Sequence, residues 1–417
     1  MKLTIEEEIL IDEADKMNKE TPFRIALMPQ GDEKWIAGAI YICNLIRALK
    51  ALPIEERPEF FLIQNENISL VNDEDFLEDL PAIKYYAYRK RQSFLKKARL
   101  VVWSLLRLRY PRSLENICAD IRADAVFPVQ FSLGPQFPSP IIGWIPDFQH
   151  RRLPHYFPDQ ERSLRDQNFL KLTKRCRHIV VSSQDAYKDL MRWFPMDERK
   201  VSILQFRTVG SPGWYQSNPQ DVADEFGLPG KYLIFPSQFW IHKNHMTLFE
   251  AIRIVKDKGI SDIALVLTGN QHDFRHPEYF QSLKEYIQLR ELESNIYFLG
   301  LLPRVKQIQL TRQAAAVVQP SLFEGWSSLV EDCRTLGKTI YLSDIPVHRE
   351  QHPPFSNFFV QDNPQQLADL IIRDWKTLIL GPDLKRENQA REESRIQAVE
   401  FARNFLDVVE AASCIVK

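Results

Sequence analysis

Residues Val317 to Gln351 read Val-Val-Gln-Pro-Ser-Leu-Phe-Glu-Gly-Trp-Ser-Ser-Leu-Val-Glu-Asp-Cys-Arg-Thr-Leu-Gly-Lys-Thr-Ile-Tyr-Leu-Ser-Asp-Ile-Pro-Val-His-Arg-Glu-Gln. The run Ala315 to Val318 has the length and composition of a buried strand, and Pro320-Ser321 ends it. Helical spacing follows from about Ser327 to Leu336, Gly337 marks its stop, and Thr339 to Leu342 is a second strand. The stretch is a βαβ unit. Its strand-to-helix turn carries Glu324, then Gly325, where another group can approach the backbone. Trp326 and the hydroxyls of Ser327 and Ser328 follow, beside a helix N-terminus whose free N–H groups attract anions. Glu331 lies one helical turn further in. Two carboxylates at an anion-attracting turn suit a ligand with hydroxyls on both sides of a phosphate, which describes a nucleotide sugar. Each glutamate alone also reads as an acid placed for the helix dipole. The whole string favours the ligand.

The same string, from Ser321 to Glu331 and on through Gly337-Lys338 to Ser343-Asp-Ile-Pro-Val-His-Arg-Glu350, resembles the donor site of the retaining glycosyltransferases of family 4. Many members separate two glutamates by seven residues. Glu324 and Glu331 are separated by six, a variant associated with a Glu-Gly-Trp-Ser subgroup. The resemblance implies that Glu324 sits by the donor sugar and that Glu331 hydrogen-bonds the nucleotide ribose. It also implies an α/β protein of the GT-B fold, with two Rossmann-like doubly wound domains facing a deep cleft and a C-terminal helix crossing back to the first. The expected division is residues 1–211 on the acceptor side, 212–399 binding the nucleotide sugar, and 400–417 as the returning helix.

A chain of 417 residues with 44% apolar content and only 14 glycines fits two domains with real cores. The net charge of -1 gives no global pull toward nucleic acid or membrane. The five cysteines (Cys43, Cys118, Cys176, Cys333, Cys414) are scattered without a metal-ligand spacing, as expected of reduced cytoplasmic thiols. The acidic start, Met1 to Asn18, lacks the apolar core of a signal peptide, and no apolar run approaches the ~20 residues that span a bilayer.

In the first half, Phe23 to Met28 reads as a short strand, Pro29 to Lys34 as a turn, and about Ala37 to Leu52 as a helix with Gly38 at its entry. In family 4 this opening faces the acceptor, so Gly38 is an expected acceptor-side residue. Neither Gly-x-Gly-x-x-Gly nor a Walker loop is present, which disfavours a dehydrogenase or P-loop ATPase. Lys84 to Arg112 holds ten Lys or Arg and no acid, interleaved with aromatics. Leu95, Leu100, Val101, Trp103 and Leu106 add an apolar stripe at helical spacing. The segment reads either as a basic amphipathic helix in peripheral contact with an anionic membrane or as a solvated helix face. Strands are expected at Phe60 to Gln64, Ala125 to Val129, Ile141 to Ile145, His178 to Ser182 and Val201 to Phe206. Helices are expected at Glu161 to Lys174 and Gln184 to Trp193, with Ser183 as an N-cap. The string Ile145-Pro-Asp-Phe-Gln-His150 resembles a loop of the same subgroup. There the family's usual histidine would fall on Pro146, so Asp147 and His150 are the expected acceptor-side and catalytic residues. Both also read blandly, as a turn cap and a surface histidine. Gly210 to Gly213 and Ser217 to Pro219 make the best linker.

The second half opens with a strand, Tyr232 to Pro236, a loop holding Lys243, and a helix from Thr247 to Lys258. A lysine just before a helix suits a diphosphate. Family 4 usually adds an arginine five residues earlier, and here that position is Gln238. The next strand, Ile263 to Leu267, leads into Gly269 and Asn270, and all these turns should share the carboxyl edge of one sheet. A strand is expected at Ile296 to Leu299, and helices at Gln365 to Leu380 and Asp383 to Ala412. The donor-binding set is therefore Gln238, Lys243, Gly269, Asn270, Glu324, Gly325, Trp326, Ser327, Ser328 and Glu331, and the catalytic set Glu324, Lys243, Asp147 and His150. No cofactor or metal is expected, since the charge on a departing diphosphate can be met by Lys243 and helix N-termini. The expected partners are a nucleotide-sugar donor and a glycan or lipid-linked acceptor, with no nucleic acid. The expected place is the cytoplasm or the inner face of its membrane. A nucleotide-sugar epimerase and a silent sugar-nucleotide-binding scaffold are the competing readings.

Overall fold

The computed structural model describes residues 22–29, 37–65, 84–88, 113–131, 133 and 137–414. The first sheet holds β1 (Arg24–Leu27), β2 (Glu59–Asn65), β3 (Lys84–Tyr88), β4 (Ala125–Val129), β5 (Ile141–Ile145), β6 (His178–Val181) and β7 (Val201–Ile203). Its order is β3-β2-β1-β4-β5-β6-β7, with every pair parallel. The second holds β8 (Leu233–Pro236), β9 (Leu265–Thr268), β10 (Ile296–Phe298), β11 (Ala316–Gln319), β12 (Ile340–Ser343) and β13 (Ser356–Phe359), ordered β10-β9-β8-β11-β12-β13 and also parallel. Strands β4, β5, β6, β8, β9, β11 and β12 are buried at every position. Helices cover both faces, so these segments appear in the sequence as apolar runs without alternation. The chain is α/β, with two Rossmann-like sheets of this doubly wound kind.

The final helix, Leu384–Cys414, joins the two halves. Near its start Glu387 is ion-paired to Arg312 (2.7 Å) and Ser394 Oγ donates to Thr335 Oγ1 (3.2 Å), both on the second sheet's side. Further on, Ala398, Phe401, Ala402, Phe405, Val408, Val409 and Ala412 recur at three- and four-residue steps and enter the first sheet's core beside helix Ala37–Ala51. Trp326, Ile345 and Val347 of the second half join that same core.

Several local expectations are corrected. Lys84–Tyr88 is an edge strand paired with β2; the remainder of the basic segment, 89–112, lies outside the described residues. The Gly210 to Pro219 stretch contains helix Pro212–Gln216, and its Trp214 is buried with Ile308 and Leu336 under the Arg304 guanidinium. The helix expected to reach Leu380 ends at Asp374, where Thr377 Oγ1 takes up the Asp374 carbonyl (2.9 Å) and Trp375 turns into the core. None of the five cysteines is in a disulfide, and among the described residues no helix is long and apolar enough to cross a membrane.

Candidate functional site

In the second sheet β8 pairs with β11 although 79 residues and more separate them, with Leu233 opposite Ala316 and Ile234 opposite Val317. The chain reverses its direction of travel across the sheet at this pair, which opens a crevice beyond the strand ends. The loop leaving β8 carries Gln238 and Lys243, the loop leaving β11 carries Glu324, and β9 leads into Gly269. Lys243 closes a short 3-10 turn, Ile241–Lys243, and Asn244 follows at φ +59. Asn244 is held there by its side-chain amide, which donates to the Pro320 carbonyl (3.2 Å) and to Asp362 (2.8 Å). The two loops are thus cross-tied behind the site.

Lys243 Nζ donates to Glu324 Oε1 at 2.6 Å. Burial by itself would raise the Glu324 carboxyl, but the Lys243 ammonium, together with the neighbouring His242 and His348, outweighs it and holds the group down at about 2. Around this pair lies a cavity of about 250 Å³ between the two halves of the molecule. Gln238, Lys243, Gly269, Glu324, Gly325, Trp326, Ser327 and Ser328 all line it from the second half, and Asp147 lines it from the first. Gly269 is required for close approach: its φ is +127 and a Cβ would stand 2.3 Å from the Ser237 carbonyl oxygen. Gly325 is required for domain contact, since a Cβ there would lie 2.4 Å from Pro146 O and 2.8 Å from Asp147 Cβ. Trp326 donates its Nε1–H to the Phe206 carbonyl (3.0 Å), anchoring the turn to the first half. Ser327 caps the helix Ser328–Thr335, accepting from Val330 N at 3.3 Å.

Four expected residues stand elsewhere. Glu331 is fully buried off the cavity, receiving Arg207 Nη1 (3.0 Å), Arg334 Nε (3.2 Å) and Gln351 Nε2 (3.0 Å). Every lone-pair direction of that carboxylate faces protein, so it knits the helix to the first half. His150 is also fully buried away from the cavity. Its Nε2–H donates to Asp166 (2.9 Å), its ring packs edgewise on Phe157 and Phe169, and burial lowers its pKa. Gly38 is buried in the first turn of its helix, whose Ile40 and Tyr41 line the cavity instead. Asn270 uses its side chain to accept from His272 N (3.0 Å), stabilising its own turn. Asp147 does line the cleft and also accepts from Gln149 N (2.9 Å), so its turn-capping role is real.

The residue the sequence reading passed over is Asp332. It lines the cavity, and its Oδ1 receives Arg304 Nη2 (2.6 Å) and Thr208 Oγ1 (3.0 Å). A signal for it existed: seven residues separate Glu324 from Asp332, the commoner spacing. The cavity thus presents two acid–base pairs, Glu324 with Lys243 and Asp332 with Arg304. Two further ties close the halves on each other. Arg275 is paired with Glu161 (2.7 Å) and stacked on Phe157 and Trp240. Glu350 accepts from Gln184 N (2.7 Å) and Asp185 N (3.3 Å) at the start of helix Gln184–Trp193.

Residues 221–400, which hold the second sheet and its helices, match the family described as glycosyl transferases group 1. The O-antigen chain mannosyltransferase RfbU of Salmonella typhimurium is 23% identical over 203 residues, which are 48% of this chain and 52% of that protein. The chain therefore spans about half the length of the curated relative it matches. Among solved structures, HepE of Anabaena in complex with UDP and glucose superposes with a TM-score of 0.63 at 14% identity, covering 93% of this chain and 99% of that one. A glycosyltransferase from Rickettsia africae superposes with a TM-score of 0.63 at 16% identity, covering 94% and 98%. At these identities the likeness is one of fold, the GT-B arrangement of two Rossmann-like domains around a cleft.

Proposed function

We propose that this protein is a retaining glycosyltransferase of the family 4 type, moving a hexosyl group from a nucleotide sugar to a hydroxyl of a glycan or lipid-linked acceptor in cell-surface polysaccharide or glycolipid synthesis. The observation that carries the reading is the Lys243–Glu324 pair, 2.6 Å apart at the mouth of the second sheet and lining the interdomain cavity. The bond from the anomeric carbon to the diphosphate breaks, and the acceptor oxygen bonds that carbon on the same face. The acceptor proton passes to the departing diphosphate. Lys243 meets the charge that grows on the leaving group, and Glu324 holds sugar hydroxyls and favours positive character at the anomeric carbon. Asp332, with Arg304 behind it, takes the nucleotide ribose in place of Glu331, and Asp147 stands on the acceptor side. No resident metal is invoked in this scheme.

Residues 1–211 and 212–399 serve as acceptor and donor halves in this proposal, with 400–417 returning to the first. The mannosyltransferase relative and the UDP and glucose held by the HepE structure support a nucleotide-sugar donor and a glycan product. The test is incubation with a panel of nucleotide sugars, following nucleoside diphosphate release with and without glycan acceptors. Release from at least one donor is expected. Binding of nucleoside diphosphate without release from any would leave the silent scaffold instead. Contact of segment 84–112 with an anionic membrane is a separate part of the proposal. Retention on liposomes of acidic lipid at low salt is expected, and failure to sediment with them removes it.

A further inference from the structure

The carboxylate of Glu324 has a second partner that the reaction scheme leaves unused. Gln319, the last residue of β11 and almost wholly buried, donates its Nε2–H to Glu324 Oε1 at 3.0 Å. Its Oε1 accepts from Ser327 Oγ at 2.9 Å, and Ser327 Oγ in turn accepts the Val330 N–H at the helix N-terminus. The amide is therefore oriented: its oxygen is committed to Ser327, and only its NH2 can face the glutamate. Gln319 and Lys243 converge on the same oxygen, Oε1, which leaves Oε2 as the atom able to take a hydroxyl of the sugar.

Resting on the transferase reading above, we propose that Gln319 is the positioning residue that holds Glu324 in place when Lys243 is drawn to the diphosphate. A diphosphate carries more charge than the Glu324 carboxylate and competes with it for the Lys243 N–H donors, which loosens the Lys243–Glu324 contact. When the ammonium shifts, Glu324 would be left buried, unpaired and free to turn. The Gln319 amide, anchored through Ser327 to the helix N-terminus, keeps Oε1 engaged. A neutral donor suits this task better than a cation would. It fixes the geometry without cancelling the negative charge that must face the anomeric carbon, and without competing with Lys243 for the phosphates.

Two variants of nearly the same volume test it. Gln319→Leu removes the bond and the anchor, and should lower kcat for nucleoside diphosphate release about 10- to 100-fold, the effect of one hydrogen bond to a charged group, while the donor KM stays within about threefold. Gln319→Glu keeps an acceptor for Ser327 but sets a second carboxylate against Glu324, so its kcat should be lowest at alkaline pH and recover as the pair takes up a proton. A wild-type pH profile in Gln319→Glu, an unchanged kcat in Gln319→Leu, or losses confined to KM would overturn the proposal and leave Gln319 a packing residue. If the wild type releases no nucleoside diphosphate from any donor, it is the transferase reading that has failed. The positioning bond is then read directly by carbon-13 NMR of protein labelled at glutamate carboxyls, with Glu324 assigned by difference from Glu324→Gln. Its titration midpoint should rise in Gln319→Glu, and an unmoved midpoint overturns the proposal.

Discussion

Replacing Lys243 by methionine keeps most of the side-chain stem and deletes the ammonium. In the native protein burial pushes the Glu324 carboxyl upward, yet Lys243 at 2.6 Å, with His242 and His348 also lowering it, brings it from 4.5 down to about 2. At ~1.4 kcal/mol per tenfold change, that difference favours the charged form in the folded state by about 3 kcal/mol. Because the folded value is depressed, this stabilisation is present above the unfolded value of 4.5 and is lost as pH falls toward 2. In Lys243→Met the carboxylate stays one-tenth exposed with only the Gln319 amide as donor, so its folded pKa rises above the unfolded one and the sign reverses. The variant is then penalised at neutral and alkaline pH, and regains stability as acid protonates Glu324. An uncompensated buried charge costs about 3–5 kcal/mol, and for domains of this size each kcal/mol moves Tm by roughly 2–4 °C. Thermal unfolding followed by tryptophan fluorescence should show Tm lower by about 10 °C near neutral pH, with the gap closing as the buffer is taken toward pH ~5. Adding Glu324→Gln to the same chain removes the stranded charge and should restore most of the loss. A deficit that does not change with pH, or that persists in the double variant, would refute the electrostatic account of the site.

Three further outcomes follow from the geometry. Gly325→Ala places a methyl 2.4 Å from Pro146 O, so the halves must part; small-angle scattering should show a larger radius of gyration and nucleoside diphosphate release should fall, and an unchanged radius would contradict the role of that contact. Asp332→Asn should weaken nucleoside diphosphate binding about tenfold by calorimetry, whereas Glu331→Gln should lower Tm by several degrees with little change in binding; the reverse pattern would return the ribose to Glu331. His150→Phe, filling a pocket already walled by Phe157 and Phe169, should leave transfer within about twofold of native, and a tenfold loss would bring an imidazole back into the chemistry.

The parts of this molecule that were readable from sequence are those decided by local chemistry. Parallel strands buried on both faces leave uninterrupted apolar runs, and Ser183 and Ser327 cap their helices with the side-chain bonds their position suggests. Strand β3 was hidden because at a sheet edge its residues are half polar, and its lysine and tyrosines merged into the basic run that follows. The meeting of Lys243 and Glu324 was expected from their shared sheet edge, but it depends on β8 lying beside β11, which is a matter of strand order. The placement of Glu331 off the cavity has a different origin. Neighbouring helix residues are turned roughly 100° from each other, so Glu331 and Asp332 cannot both face the same crevice, and composition does not say which one does. The choice follows from what surrounds the helix. Leu329, Val330 and Cys333 pack into the second sheet's core, and Arg207 and Gln351 wait on the side to which Glu331 turns. Asp332 is thereby left facing Arg304 and the cavity. Exchanging the two side chains would keep a carboxylate on each side of the helix but leave it one methylene too short for Arg207 and one too long beside Arg304, so the placing of these adjacent acids is a property of the domain contact as much as of the motif.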